Sequence, residues 1–216
     1  MSQQSFVRAR TDDQRAARRE AILTTAGEYL DEVRVADLGL NELARRVGLA
    51  KSNLLRYFES REAVLLELLD RAHAEWLDAL EQRLDGDQDP EVLALAIAET
   101  AAARPRFCEL VSASTGILEH NVSAEVAAAH KRASLHLARR LARLVGSDDG
   151  PRAMAVTGVV LVTIAGLWSM CRPSEGMLQA YRENPELAVF RIDFTTGVRE
   201  LVATFLAGLA VREPRL

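Results

Sequence analysis

The sequence predicts an all-α chain in which a three-helix N-terminal unit containing a helix-turn-helix precedes a larger helical domain, with about nine helices in total. Three observations carry this. Apolar residues recur at three- and four-residue spacing along most of the 216 positions, while strand-like alternation is absent. Helix start signals stand ahead of these stripes. Gly and Pro are few, 12 and 6, and Gly48, Pro105, Gly150-Pro151, Pro173 and Asn184-Pro185 stand where stripes end.

Taken in order, the first ten residues read as a flexible arm. A capping box, Thr11-Asp12-Asp13-Gln14, then opens a helix whose stripe is Ile22, Leu23, Ala26, Leu30 and Val33. A short helix over 40–47 is stopped by Gly48, and another runs from Lys51 to Tyr57. Ser60 caps a long helix with Val64, Leu65, Leu68, Leu69, Ala72, Trp76, Leu80 and Leu84 on one face. A polar linker over 85–89 ends in Asp89-Pro90, an N-cap followed by proline at the first helical position. Helices are then expected over 90–103, 105–119, 123–146, 151–171 and 186–211, bounded by Pro105, Ser123, Gly150-Pro151, Pro173 and Asn184-Pro185.

A composition 49% hydrophobic and 27% charged suits a compact globule rather than a disordered or fibrous chain. The net charge of −4 argues against a protein that coats nucleic acid over its whole surface. Its distribution is uneven: residues 1–61 hold 11 Arg/Lys against 9 Asp/Glu, and the rest 16 against 22, which puts the basic balance at the N-terminal end. Cys108 and Cys171 sit far apart in apolar helical patterns and read as reduced core residues. The polar first 14 residues lack a signal-peptide core, so an intracellular, cytoplasmic site of action is expected.

Catalytic and metal chemistry find no footing. His73, His120, His130 and His136 contain no i, i+4 pair, and GxSxG, CxxC, HExxH and phosphate-binding glycine motifs are missing. No enzyme, cofactor or metal is therefore expected.

Residues 153–171 carry no charge over 19 positions between Arg152 and Arg172, which length alone would allow as a membrane span. A membrane-attached helical protein is thus the alternative reading. Against it, the segment contains Gly158, Gly166 and hydroxyl residues. It also bears a narrow stripe, Ala155, Gly158, Val162, Ala165 and Ser169, of the kind found where helices pack closely. A second stripe, Gly197, Leu201, Thr204 and Gly208, lies on the last helix. The two could meet their symmetry mates in a four-helix dimer interface or complete a monomer core; the pattern leaves both open.

The most informative stretch is Leu38–Leu69. Leu40, Leu43, Ala44 and Val47 form an inward face, Gly48 can take the left-handed conformation a tight turn needs, and Leu54 and Leu55 anchor a second short helix. That helix exposes Lys51, Ser52, Asn53 and Arg56, donors suited to phosphates or base edges in the major groove. On the preceding helix Arg45, beside Arg46, could reach backbone phosphate.

Leu43-Ala44 with Gly48, the run LLRYF over 54–58, and Ser60-Arg61-Glu62 opening a long helix resemble the DNA-binding domain of tetracycline-repressor (TetR) family regulators. The likeness extends over about residues 10–70. Ala50 and Leu55 stand where the family commonly has Ser or Thr and often Tyr. The resemblance implies that Asn41 reaches a base or phosphate, that Lys51, Ser52, Asn53, Leu55 and Arg56 lie on the recognition helix, and that Tyr57 and Arg61 hold phosphates, with Phe58 packed inward. It implies a division into arm (1–10), DNA-binding domain (11–60) and ligand-binding and dimerisation domain (61–216). The function implied is that of a dimeric repressor on a palindromic double-stranded DNA operator, released by a small, largely apolar effector. The effector cavity would draw on Phe107, Leu110, Val111, Ser114, Thr115, Leu118 and His120, facing Trp168 and Phe194, although each of these suits an ordinary core equally well. Coupling between the two sites is expected to run along the helix 61–84.

Overall fold

The computed structural model describes residues 3–86, 89–114, 121–146 and 150–211, with side chains described from residue 13 onward except that of Ala210. Among these residues there are ten α-helices, two 3-10 segments (Val35–Asp37 and Pro185–Phe190) and no strand. The helices are α1 (Gln3–Tyr29), α2 (Leu40–Val47), α3 (Lys51–Leu54), α4 (Arg61–Leu84), α5 (Pro90–Ala102), α6 (Pro105–Ala113), α7 (Ala124–Leu144), α8 (Pro151–Met170), α9 (Glu175–Glu183) and α10 (Phe194–Val211).

Local chemistry sets most of the boundaries. Ser60 Oγ accepts from the Ala63 amide at 3.1 Å, and Asp89 Oδ1 accepts from Glu91 and Val92 at 2.9 and 3.1 Å. Ser123 Oγ caps α7 through the Val126 amide at 3.3 Å. Gly48 ends α2 at φ 72°, ψ 33°, the left-handed conformation that the turn requires.

Other boundaries differ from expectation. Helix α1 begins at Gln3, so Thr11–Gln14 lie inside it instead of capping it, and residues 3–10, expected as an arm, are helical. That stretch holds no Gly or Pro to stop a helix. The helical assignment of α3 stops at Leu54, with Leu55–Tyr57 continuing as hydrogen-bonded turns. The stretch expected as one helix over 186–211 divides into the 3-10 segment, an extended link at 191–193 and α10, and α9 precedes it as an unforeseen helix.

Helices α1–α3 pack around Ile22, Leu23, Ala26, Leu38, Leu43, Ala44, Leu54 and Phe58, all at most 2% exposed. Leu54 points inward, but Leu55, grouped with it on sequence grounds, is 40% exposed. Successive residues on a helix lie about 100° apart, so both cannot face one core. Helix α4 leaves this unit and continues into the second, where α5 packs on α10 and α8 is enclosed by α6, α7 and α10. Trp76 on α4 is fully buried, stacks on Phe107 of α6 at 4.9 Å and donates from Nε1 to Thr100 Oγ1 of α5 at 3.0 Å. Helix α8 is long and apolar enough to span a membrane, but Val156, Val160, Ile164 and Leu167 are buried against its neighbours. Packing accounts for that one face, while Met154, Val162 and Met170 on the other are exposed.

Candidate DNA-binding face and the surfaces behind it

The turn at Gly48 sets α3 across α2, and the Leu49 amide returns to the Ala44 carbonyl at 2.8 Å, closing the turn. With Leu43, Ala44 and Leu54 consumed in the core, the opposite side of the pair carries Asn41, Arg45, Lys51, Ser52, Asn53, Leu55 and Arg56, all exposed. No side chain caps α3, since its N-cap residue is Ala50. The Tyr57 ring is half-buried, and its backbone carbonyl accepts from Arg19.

Two further cations join this face. Arg15 and Arg18 on α1 border an open groove of about 990 Å³ shared with Asn53, Arg56 and Tyr57, and Arg15 Nη2 donates to the Arg56 carbonyl at 3.4 Å. Among the described residues, Arg15, Arg18, Lys51 and Arg56 form no ion pair. Sequence reading missed Arg15 and Arg18 because it took α1 only as a source of core residues. The i, i+3 spacing of the two arginines, which continues the Ile22–Ala26 face toward the N-terminus with charged residues in place of apolar ones, was the available signal.

Three assigned positions need correction or qualification. Arg61, expected on phosphate, donates from Nη2 to the Val35 carbonyl, lies 3.6 Å from the Glu62 carboxylate and keeps a 23% exposed side chain. It is tied within the fold. Arg45 stays exposed but is held by Glu42 at 2.8 and 2.6 Å. Arg46 bonds the same carboxylate and also Glu32 at 2.7 Å. The two guanidiniums together hold the Glu42 carboxyl down at about 2.

The expected effector residues are mostly packed. Phe107, Leu110 and Val111 are at most 2% exposed, and Phe194 is 9% exposed with its edge against Trp168 at 5.3 Å. These four fill core instead of lining an open cavity. Ser114 donates back to the Val111 carbonyl at 2.7 Å, which spends its hydroxyl locally. Thr115, Leu118 and His120 lie outside the described residues. Of the described members of this set, Trp168 borders an open cleft, with its Nε1 donating to Glu109 at 2.9 Å. Buried beside Phe107, His73 has no hydrogen-bond partner for Nε2, and desolvation, reinforced by His130, lowers its pKa to about 3.

On the far side, Ala155, Gly158, Val162 and Ser169 of α8 and Leu201, Thr204 and Gly208 of α10 are exposed. Two members of the stripes turn inward. Ala165 is 6% exposed, and a Cβ on Gly197 would meet Leu167 at 3.0 Å and Ile192 at 3.1 Å, so Gly197 serves the chain's own packing. A Cβ on Gly158 or Gly208 would meet nothing within 4 Å.

This architecture has known counterparts. A family model described as the tetracyclin repressor-like C-terminal domain matches residues 70–213, two thirds of the chain. The HTH-type transcriptional regulator EthR of Mycobacterium tuberculosis is 45% identical over 51 residues, and that of Mycolicibacterium smegmatis 40% identical over 53, each match covering 24% of either chain. These matches thus span about a quarter of the curated relatives. Among solved structures, a TetR transcriptional regulator from Rhodococcus sp. RHA1 aligns with a TM-score of 0.56 at 15% identity, covering 93% of this chain and 99% of that one. Thermus thermophilus FadR, a TetR-family repressor solved with lauroyl-CoA, aligns at 0.57 and 19% identity, covering 92% and 98%. At such identities the solved structures speak for the fold alone, and the family model covers most of what lies behind the helix-turn-helix: the chain belongs to the tetracycline-repressor (TetR) family of transcriptional regulators.

Proposed function

We propose that this regulator is a repressor that binds a palindromic operator as a homodimer and lets go when a small, largely apolar effector binds its C-terminal helices in the cytoplasm. The observation that carries the DNA-reading part is the exposed side of α2–α3, where Lys51, Ser52, Asn53 and Arg56 project beside the cations of α1. Lys51, Arg15, Arg18 and the Tyr57 hydroxyl are assigned to phosphates, Asn53 and Arg56 to base edges, Asn41 to either, and Leu55 to a thymine methyl.

Dimerisation through α8 and α10 is supported by their adjoining exposed stripes and by the room above Gly158 and Gly208. Side chains added there would leave the protomer intact and obstruct only a partner. The lauroyl-CoA in complex with Thermus thermophilus FadR, which shares the fold, supports an effector with an apolar portion. Helix α4 links the two halves, so a tilt that changes the spacing of two recognition helices, about 34–36 Å when one turn of DNA separates them, would suffice for release.

Selection of bound duplexes from a random library tests the reading: an inverted repeat with half-sites about one helical turn apart is expected, and a single unpaired half-site or no enrichment would sink it. Gly158→Trp should convert the dimer to monomer in light scattering while keeping the helical circular dichroism. A dimer unchanged in Gly158→Trp and in Gly208→Trp would exclude this interface.

A further inference from the structure

Between the two halves of the molecule lies a cleft of about 730 Å³, within the range of small-molecule sites. One wall is the segment from the end of α1 through Val35–Asp37; the other is α6 and the end of α8. Its apolar surface comes from Val33, Ala113 and the Trp168 ring, over which the Arg172 guanidinium lies at 4.6 Å. The charges around it are uneven in what they still need. Asp31 is held by Arg106, Glu32 by Arg46, and Glu109 by Trp168 with Arg172 3.6 Å away. Arg61 is different. Its Nη2 donates to the Val35 carbonyl and its Nη1 lies 3.6 Å from the Glu62 carboxylate, but its Nε is buried with no hydrogen-bond partner. A buried donor left without an acceptor is costly, and an anionic oxygen is an acceptor that would relieve it.

We propose that this junction cleft binds a small monocarboxylate with an apolar, aromatic-sized body, the carboxylate accepting from Arg61 and the body lying against Trp168 and Val33. This deepens the preceding reading by giving the effector a chemical class and a site, and it rests on that reading only for its regulatory consequence. A carboxylate fits better than a phosphate, because a phosphate dianion needs several donors, and Arg34, Arg46 and Arg106 beside the cleft are already bonded to carboxylates. The consequence follows from what Arg61 holds. It follows Ser60, the N-cap of α4, and ties that helix to Val35 in the DNA-reading half. An anion that engages its guanidinium therefore acts where the two halves are joined, four residues beyond Tyr57.

The test is calorimetric titration of the full chain with 3-phenylpropionate and with its neutral counterpart 3-phenylpropionamide. The acid should bind wild type about tenfold or more tightly than the amide, the effect of one charge-assisted hydrogen bond. Arg61→Met should bring the acid down to the level of the amide. Should that variant fail to fold, Ala36→Trp, at an exposed position on the cleft wall, should abolish binding of both by filling the space. In wild type the Arg61 Nε–H resonance should shift on addition of the acid and not of the amide. Equal binding of the two ligands, no binding of either, or binding of the acid that survives Ala36→Trp would each overturn the proposal. Operator selection run without the probe reports separately on DNA reading, so failure here leaves that result standing.

Discussion

Arginine does opposite work on the two sides of the N-terminal helices. On the outer side, Arg15, Arg18 and Arg56 are exposed and make no ion pair among the described residues. On the inner side the arginines are tied to protein partners, although Arg61 keeps one donor, Nε, without an acceptor. Arg19 binds the Tyr57 carbonyl and Glu67 and covers the Phe58 ring at 4.0 Å, and Arg71 bonds Glu20 at 2.7 and 2.8 Å. Arg46 bonds two carboxylates, and Arg61 bonds Val35. The difference teaches that the cation available to DNA is the one the fold leaves without a carboxylate. A paired guanidinium has already been given the partner that a phosphate would have to displace.

The largest expected effect tests that contrast directly. Arg56→Ala should weaken binding to the selected operator by about ten- to hundredfold, corresponding to roughly 1–3 kcal/mol for a base contact, and relax preference at one position of each half-site. Arg18→Ala should weaken operator and random duplex alike and lower the salt slope by about one unit. Arg19→Ala, by contrast, should leave the salt slope unchanged and lower the unfolding midpoint, because it leaves Glu67, at the junction of α1 and α4, with only Arg71 at 3.5 Å and removes the bond to the Tyr57 carbonyl. Fluorescence titrations at two salt concentrations with thermal melts separate the two classes. A salt slope reduced by Arg19→Ala as much as by Arg18→Ala would erase the distinction.

The same contrast shows what the sequence could and could not disclose. Features decided within a few residues were legible: the left-handed Gly48, the caps at Ser60, Asp89 and Ser123, and the exposed side of Lys51–Arg56. Each depends on one turn of backbone, and the residue type nearly determines the outcome. Features decided across the fold were hidden. That Arg61 turns to a carbonyl 26 residues earlier, that Gly197 faces Leu167, and that Phe107 stacks on Trp76 follow from how helices dock, and helical spacing gives a face but not its partner. The effector residues suffered most, since an apolar stripe at core spacing is the same whether it lines a cavity or fills one. The family resemblance supplied the class of regulator, and only the packing distinguished Trp168, at a cleft, from Phe107 and Leu110, which are not.

A smaller effect separates the inner surface from the deepest polar group behind it. His73 is held neutral, its pKa pushed down to about 3 by burial, against about 6.5 in an unfolded chain. Above pH 6.5 neither state takes a proton there and the site costs nothing. As the pH falls below that value the unfolded chain binds a proton the folded imidazole refuses, so stability declines, by about 1.4 kcal/mol at pH 5.5. Urea unfolding at pH 7.5 and 5.5 should show this loss in wild type and a smaller one in His73→Phe, which also removes the unpartnered Nε2. Equal losses in the two proteins would mean that His73 is not the buried neutral group described.

The smallest effect belongs to the pair that tests where the contrast stops. Arg106 on α6 pairs with Asp31 beyond α1, joining the two halves as Arg19 and Arg71 do, with side chains 42% and 60% exposed, as open as the Arg71–Glu20 pair and more open than Glu67 beside Arg19. An exposed ion pair is worth about 0.2–1 kcal/mol, because water already solvates both charges and two long side chains must be held in one geometry. The guanidinium also lies 3.1 Å from where a Cβ on Gly27 would stand, so it packs on α1 as well as pairing. Arg106→Ala should therefore lose no more than about 1 kcal/mol, and Arg106→Met, which keeps the packing without the charge, should lose less. Neither should alter the salt slope of operator binding, since the pair lies at the junction, away from the reading face. A double-mutant cycle with Asp31→Asn measures the charge term, and raising the salt to 0.5 M should diminish it. A coupling well above 1 kcal/mol would show that commitment to a partner, more than burial, sets what an arginine contributes here. A coupling near zero would confine structural arginines to those that reach a half-buried carboxylate, as Arg19 does.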